Sequence, residues 1–353
     1  MRDRRTTRQV QVGSVAVGGG APVAVQSMTC TDTRDSAATL AQISRLADAG
    51  CEIVRVAIPH ADALDGFAAI CEGSSLPVVA DVHFDHRLAV EAARRGAAKL
   101  RINPGNIGDL SRVDAVIEAA GEAGIPIRIG VNAGSLADEF RDLNEPLAVK
   151  LALSAQAFCA HFVSRGFEDI VVSAKASSVN ATVEAYRRLA GEVPYPLHIG
   201  VTEAGTLSAG TVKSSVGLGI LLSEGIGDTL RVSLTADPVE EARVAWEILA
   251  ALDLRRRGPE LISCPTCGRC EIDLFSIASE IEDRLKASSS PVKVAVMGCV
   301  VNGPGEAAEA DIGVAAGRGV GVIFAKGVAL RKVPESDIVE ALMMEVDRLS
   351  SGA

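Results

Sequence analysis

Three cysteines at three-residue spacing, Cys264, Cys267 and Cys270, lie in SCPTCGRCEID, and a fourth, Cys299, follows at a distance in MGCVVNGPGEA. Thiols spaced this way on one turn can grip a single soft metal centre. The spacing leaves two centres open, a structural zinc held by four sulfurs or an iron–sulfur cluster. Beyond Cys299 the chain crosses Gly303-Pro304-Gly305 and arrives at Glu306, so one loop carries a thiol and a carboxylate on either side of a tight bend.

A second set of residues stands apart from the cysteines. Arg55 lies in IVRVAIP, Arg101 in KLRINPG, Arg128 in IRIGVN, Lys175 in VVSAKAS and Arg231 in TLRVSLT. A cation inside a buried apolar strand is costly unless an anion meets it. Five at the same place in five similar segments call for a multiply charged anion, and diphosphate is the natural candidate. Other polar groups share those strand ends: Asp81, His83, Asn103, Asn106, Asn132, Ser173, Thr202, Glu203 and Ser233. Asp81 and His83 alternate along one strand and so share a face.

The elements that must position these groups can be read from periodicity. Short β-branched runs recur eight times: PVAVQSMT, CEIVRVAIP, LPVVADVHF, AKLRINPG, IPIRIGVNAG, DIVVSAKAS, PLHIGVTEAG and DTLRVSLTAD. Amphipathic segments such as AATLAQISRLADAG separate them and end at Gly, a helix stop signal. Strands alternating with helices imply a parallel sheet, and eight units imply an α/β fold of the (β/α)₈ TIM-barrel type. In such a barrel all C-terminal strand ends open into one mouth, which gathers the five cations.

After DLRRRGPE the period changes. The expected division is a TIM-barrel, substrate-binding domain over residues 1–257 and a small α+β domain carrying the cysteines over residues 258–353. In the second, ELISC reads as a strand, DLFSIASEIEDRLKA as a helix, PVKVAVM as a strand, GVGVIFAKG and VALRKVP as a hairpin, and SDIVEALMMEVDRLSS as a closing helix.

Composition bounds the rest. The 353 residues are 48% hydrophobic and 23% charged, with 3% aromatics and a net charge of −10. An acidic, aromatic-poor chain lacks the basic face that nucleic acid binding needs. No apolar stretch reaches the roughly 18 residues required to span a bilayer, and the basic N-terminus is not followed by an apolar signal core, so the reading is cytoplasmic. No P-loop and no strand-linked GxGxxG are present, so electrons for any redox step must come from outside a nucleotide fold. Cys30, Cys51, Cys71 and Cys159 read as small buried hydrophobes, and His161 and His198 as ordinary packed or surface residues.

SCPTCGRCEID with MGCVVNGPGEA resembles the signature of the 4-hydroxy-3-methylbut-2-en-1-yl diphosphate synthases in their two-domain bacterial form. VQSMT, RVAIP, ADVHFD, LRINPGNIG, IRIGVNAGSL and HIGVTEAG carry the likeness through the barrel. The resemblance implies an iron–sulfur oxidoreductase of the methylerythritol phosphate route to isoprenoids. It would open 2-C-methyl-D-erythritol 2,4-cyclodiphosphate reductively, with electrons from reduced ferredoxin or flavodoxin. It implies a [4Fe-4S] cluster held by Cys264, Cys267, Cys299 and Glu306, with the carboxylate as the exchangeable ligand. It implies diphosphate binding by Arg55, Arg101, Arg128, Lys175 and Arg231, assisted by Asn103, Asn132 and Ser233. Asp81 and Glu203 would stand near the reacting carbons, Glu203 as proton donor. It further implies a head-to-tail homodimer with a hinge near Arg255–Gly258. Cys270 departs from the family pattern by offering an additional thiol. The rivals are a zinc-stapled TIM-barrel transferase acting on a diphosphate ester, and an iron–sulfur assembly or sensor protein.

Overall fold

The computed structural model describes residues 2–286, 288, 290–299, 305, 308 and 310–351. The chain divides into two compact units, residues 1–255 and 256–353. At the end of the first, Arg255 is fixed by a two-pronged pairing with Glu52 at 2.7 and 2.8 Å and by stacking 4.6 Å above the Trp246 ring.

The first unit begins with a hairpin, β1 (Gln9–Val12) and β2 (Val15–Gly18). Eight strands follow: β3 (Ala24–Met28), β4 (Ile53–Ala57), β5 (Val78–Asp81), β6 (Lys99–Ile102), β7 (Ile127–Asn132), β8 (Ile170–Lys175), β9 (His198–Ile199) and β10 (Thr229–Leu230). They pair in parallel in the order β8-β7-β6-β5-β4-β3-β10-β9, and a bridge between Val172 and Leu197 closes the ring. Ten helices run between and after them: α1 (Ser36–Asp48), α2 (Leu64–Gly73), α3 (His86–Arg94), α4 (Pro104–Ile107), α5 (Leu110–Ala123), α6 (Asp138–Arg141), α7 (Leu147–Ser164), α8 (Val179–Glu192), α9 (Leu207–Ser223) and α10 (Pro238–Ala251). This is the expected (β/α)₈ barrel, with every one of the eight anticipated strands in place.

The local signals are ordinary ones. Asp35, Asp85, Asp109, Ser178 and Asp237 cap the helices that follow them, each side chain accepting a hydrogen bond from a first-turn N–H. Gly124 ends α5 at φ 64°, a left-handed conformation that glycine adopts without strain. Alternate strand residues such as Val54, Leu100, Ile129, Val172 and Ile199 face the helices in one continuous core. Along β7, Ile127, Ile129 and Val131 point outward, so Arg128, Gly130 and Asn132 point inward. The hairpin, not anticipated from sequence, packs Val10, Val12 and Val17 against the inward residues Ala24, Ile53, Val79 and Val171. It plugs the end of the barrel opposite the mouth with an apolar floor.

Helix α7 corrects one expectation. Its 18 residues have a mean hydropathy of 1.4, long and apolar enough to cross a membrane by length and composition. Its buried face, which includes Leu151, Phe158 and Phe162, packs on β7, β8 and α8, as a core helix of a barrel does.

The second unit is a five-stranded sheet: β11 (Glu260–Ser263), β12 (Lys293–Met297), β13 (Ile312–Gly317), β14 (Val320–Ala325) and β15 (Val328–Pro334), in that spatial order. Helices α11 (Leu274–Leu285) and α12 (Ile338–Ser351) cover one face with Ile277, Ile281, Leu342 and Val346. The sequence reading missed β13, whose IGVAAG run is too rich in Gly and Ala to register as a strand.

Candidate active site

The inward strand residues bring together the cations expected at the barrel mouth. Arg101 donates to Asp81 at 3.1 Å, and Arg55 lies 3.8 Å from the same carboxylate. Arg101 Nη1 also sits 2.6 Å from His83 Nε2, which must accept because a guanidinium only donates. With its amide oxygen turned toward Arg101, Asn132 accepts from Nη2 at 2.9 Å. Burial alone would raise the Asp81 carboxyl, but the Arg55 and Arg101 guanidiniums overcome it and hold Asp81 below the usual carboxylate range. Burial pushes Arg55 down to about 10, opposed by Asp81 and reinforced by Arg231 and Arg101.

Arg231 is clamped from behind. Glu241, buried on α10, accepts from its Nε and Nη2 at 3.1 and 3.0 Å and also from Ser27 Oγ and the Leu234 N–H. Sequence reasoning missed Glu241, because only the fold carries a helix residue to that strand end. Asn103 caps α4 through its side-chain oxygen and donates to Ser135, so it shapes the mouth loop as well as facing it. Ser233 is half-buried. Glu203 is exposed and lies at φ +53°, and Phe84, 70% exposed, lies at φ +65°. Two non-glycine residues held in left-handed backbone on loops leaving β5 and β9 are the kind of strain that gathers at functional sites.

Among the described residues the remaining cations form no ion pair, and only Arg128 feels a carboxylate, Asp81, from farther away. Arg128, 1% exposed, donates from Nη1 to Ser173 Oγ at 3.0 Å, while its Nε and Nη2 have no partner. Lys99, 0% exposed, reaches only Gln26 Oε1 at 3.3 Å. Lys175 is buried at the end of β8 with no hydrogen bond among the described residues. Burial first, and then the neighbouring cations, push Arg128, Lys99 and Lys175 well below their ordinary values. Lys99 was overlooked in the sequence although it stands two residues before Arg101, on the same strand face. His198, read as an ordinary histidine, is buried inside the barrel with neither ring nitrogen partnered. Its strand is two residues long, too short for alternation to be read.

Six cations against two carboxylates in one buried ring is an anion receptor by charge. Glycine at Gly130 makes room for it: a Cβ there would lie 2.6 Å from Arg101 Nε and 3.1 Å from Nη2. Gly130→Ala is therefore expected to displace the Arg101 guanidinium and weaken pyrophosphate binding roughly tenfold or more. Calorimetric titration checks this, with the thermal midpoint little changed because only a flexible side chain must move.

In the second unit, Cys264 follows β11 and Cys299 follows β12. These are adjacent parallel strands, with Ser263 opposite Val296. The Cys264 N–H bonds to the Val296 carbonyl at 3.3 Å, and Cys264 Sγ accepts from the Gly298 N–H at 3.3 Å. Backbone N–H donors on sulfur are what tune cluster-bound thiolates. Cys267 is exposed on the connecting loop. Soft donors on two adjoining strand ends, one already hydrogen-bonded at sulfur, fit an iron–sulfur group by donor chemistry. Among the described residues no three metal-ligating side chains converge, and Glu306 lies outside the described residues. Cys270 Sγ donates to the Ile272 carbonyl at 3.4 Å and packs beside Gly298, the residue whose N–H meets Cys264 Sγ.

The other thiols divide. Cys51 and Cys159 are buried, and burial pushes both up to about 12, which makes them inert. Cys30 is exposed beyond β3, correcting its reading as a buried hydrophobe, and Cys71 is half-buried.

Residues 7–246 match the family model described as the GcpE TIM-barrel domain, and residues 260–348 match that of the GcpE protein C-terminal domain. The chain is 54% identical to 4-hydroxy-3-methylbut-2-en-1-yl diphosphate synthase (flavodoxin) of Desulfotalea psychrophila, over 99% of this chain and 97% of that protein. It is 56% identical to the protein of the same name from Geobacter sulfurreducens, over 97% of this chain and 98% of that one. Among solved structures, Yersinia pestis dihydropteroate synthase superposes with a TM-score of 0.52 over 69% of this chain and 97% of that one. At 12% identity that likeness is one of fold alone.

Proposed function

The chain belongs to the GcpE family, and from that membership we infer that it catalyses reductive ring opening and dehydration of 2-C-methyl-D-erythritol 2,4-cyclodiphosphate. The product is 4-hydroxy-3-methylbut-2-enyl diphosphate, in the methylerythritol phosphate route to isoprenoids. Two electrons and two protons enter, one ring C–O bond breaks, and one hydroxyl leaves as water. The observation that carries this reading is identity of more than half the residues, over nearly the whole length, to diphosphate synthases. The protein is an iron–sulfur oxidoreductase that takes its electrons from reduced flavodoxin. The zinc-stapled transferase reading gains no support, since the likeness to dihydropteroate synthases is confined to the fold.

Cys264, Cys267, Cys299 and Glu306 would hold a [4Fe-4S] cluster. Bound there, it would supply electrons and a Lewis-acidic iron whose carboxylate ligand is more exchangeable than its sulfurs. The barrel residues do the rest. Arg128 and Lys175, lacking any carboxylate of their own, take the diphosphate charge, and Arg231 is held rigid by Glu241 to meet it. Arg101, tied to Asp81 and Asn132, fixes the register of the phosphates. Glu203 at the mouth holds the proton that leaves with the hydroxyl. A cytoplasmic head-to-tail homodimer, in which each cluster serves the partner's barrel, belongs to the same reading.

Turnover of the cyclic diphosphate by anaerobically purified protein tests it, with reduced flavodoxin as donor and phosphorus resonance following the product. Protein loaded with iron and sulfide that leaves the cyclic compound intact would overturn the assignment. Glu306→Ala is expected to retain much of the cluster and lose most activity. Full activity in that variant would remove Glu306 from the ligand set.

A further inference from the structure

Beneath the strand ends lies a second polar layer that diphosphate binding at the mouth does not use. Gln26 on β3, Lys99 on β6, His198 on β9 and Thr229 on β10 all face inward and are between 0% and 1% exposed. Lys99 Nζ lies 3.3 Å from Gln26 Oε1, and Thr229 stands directly opposite His198 in the sheet register. Below, the apolar floor of Ala24, Ile53, Val79 and Val171 and the β1–β2 hairpin seal the layer from solvent.

The hydrogen-bonding balance of this layer is one-sided. Gln26 Nε2, both His198 nitrogens and Thr229 Oγ1 have no partner. Lys99, as an ammonium, adds three N–H donors and uses one. Against these, among the described residues, the acceptors left in the layer are one His198 nitrogen, the Thr229 hydroxyl and the second lone pair of Gln26 Oε1. Water would not correct this, because each molecule brings two further donors. An anion brings acceptors only, and it answers the charge as well. The charges that act on Lys99 are Arg128 and Arg55, both cations, and those that act on His198 are Lys175, Arg128, Lys99 and Arg55. Buried groups of this kind are satisfied in native structures, and an uncompensated ammonium in a sealed layer is costly.

We propose that this layer is a resident site for a small inorganic anion, chloride in the cell, enclosed by Lys99, Gln26, His198 and Thr229 and separate from the diphosphate site above it. The anion offsets the charge that Lys99 carries into the barrel. The barrel can then hold its cations in place before the substrate arrives, a form of preorganisation. Lys99 is its principal anchor, because among the described residues only the neutral Gln26 amide meets that ammonium.

The test uses anaerobically prepared full-length protein. Crystals grown in bromide and measured at the bromine edge should show an anomalous peak between Lys99 and His198, and the peak should persist when pyrophosphate is added. At constant ionic strength the thermal midpoint should be higher by several degrees in bromide or chloride than in gluconate, an anion too large for the layer. In Lys99→Met that difference should vanish, and in gluconate the variant should melt above the wild type. Halide peaks at the mouth only, water alone in the layer, or midpoints equal in halide and gluconate would each overturn the proposal. Displacement of the bromide by pyrophosphate would show the layer to be the floor of the diphosphate pocket and would overturn its separateness. Should Lys99→Met fail to fold, the anomalous map of the wild-type protein decides the matter unaided.

Discussion

Arg128→Met is expected to raise the dissociation constant for the cyclic diphosphate by about 100-fold and, in halide-free buffer, to raise the thermal midpoint of the substrate-free protein. Both effects come from one fact. Arg128 is fully buried, spends a single hydrogen bond on Ser173, and leaves Nε and Nη2 unpartnered. A buried cation without an anion destabilises the empty fold, and an apolar side chain of similar volume relieves that by about 1–4 kcal/mol. When a phosphate arrives the same cation gains charge-assisted bonds, and removing it costs about 2–5 kcal/mol of binding. Opposite signs on stability and affinity distinguish a receptor group from a structural one, whose loss would weaken both. The visible spectrum of the proposed cluster should not change, because the residues assigned to hold it belong to the other unit. Calorimetric binding and thermal unfolding on the same preparation measure the pair. A variant that binds as tightly as the wild type, or unfolds at a lower temperature, would place Arg128 among the structural residues.

The second large effect separates two cysteines that the sequence presents as near equivalents. Cys264→Ser should yield protein with little iron or sulfide and activity reduced to background, whereas Cys270→Ser should keep its colour and most of its turnover. Cys264 leaves β11 beside the end of β12, and its sulfur already accepts the Gly298 N–H. Serine there removes a soft anionic donor that iron requires. Cys270 packs its sulfur against the backbone, where the Ile272 carbonyl takes the S–H and a Gly298 Cβ would come within 2.6 Å. A serine hydroxyl can keep that hydrogen bond, so the cost is on the order of 1 kcal/mol in stability. Iron and sulfide analysis per chain, with absorbance and turnover, settles it. A colourless Cys270→Ser would mean that a fourth thiol closes the corner proposed for Glu306.

The barrel was legible residue by residue because its signals are local. Five of the helices between the β-branched runs start at an Asp or Ser cap, and those caps do accept the first-turn N–H groups. Arg55, Arg101, Arg128, Lys175 and Arg231 could be singled out because a cation amid Val and Ile is anomalous at any window size. The misses have physical causes too. The β1–β2 hairpin is stabilised by what it plugs, β13 by the strands on either side, and neither has a strong pattern of its own. Cys30 was taken for a core residue on residue type, yet the end of β3 leaves it exposed.

What the sequence determined alone was the inventory: eight βα units, a ring of strand-borne cations, and four cysteines in two short stretches, because spacing and type are properties of the chain. The tertiary structure decided which of those cations lack an anion. Asp81 answers Arg55 and Arg101, Glu241 answers Arg231, and among the described residues no carboxylate forms an ion pair with Lys99, Arg128 or Lys175. Pairing is a matter of distances across the barrel between residues far apart in sequence. The same closure that brings the strands together excludes the water that would otherwise have screened those charges.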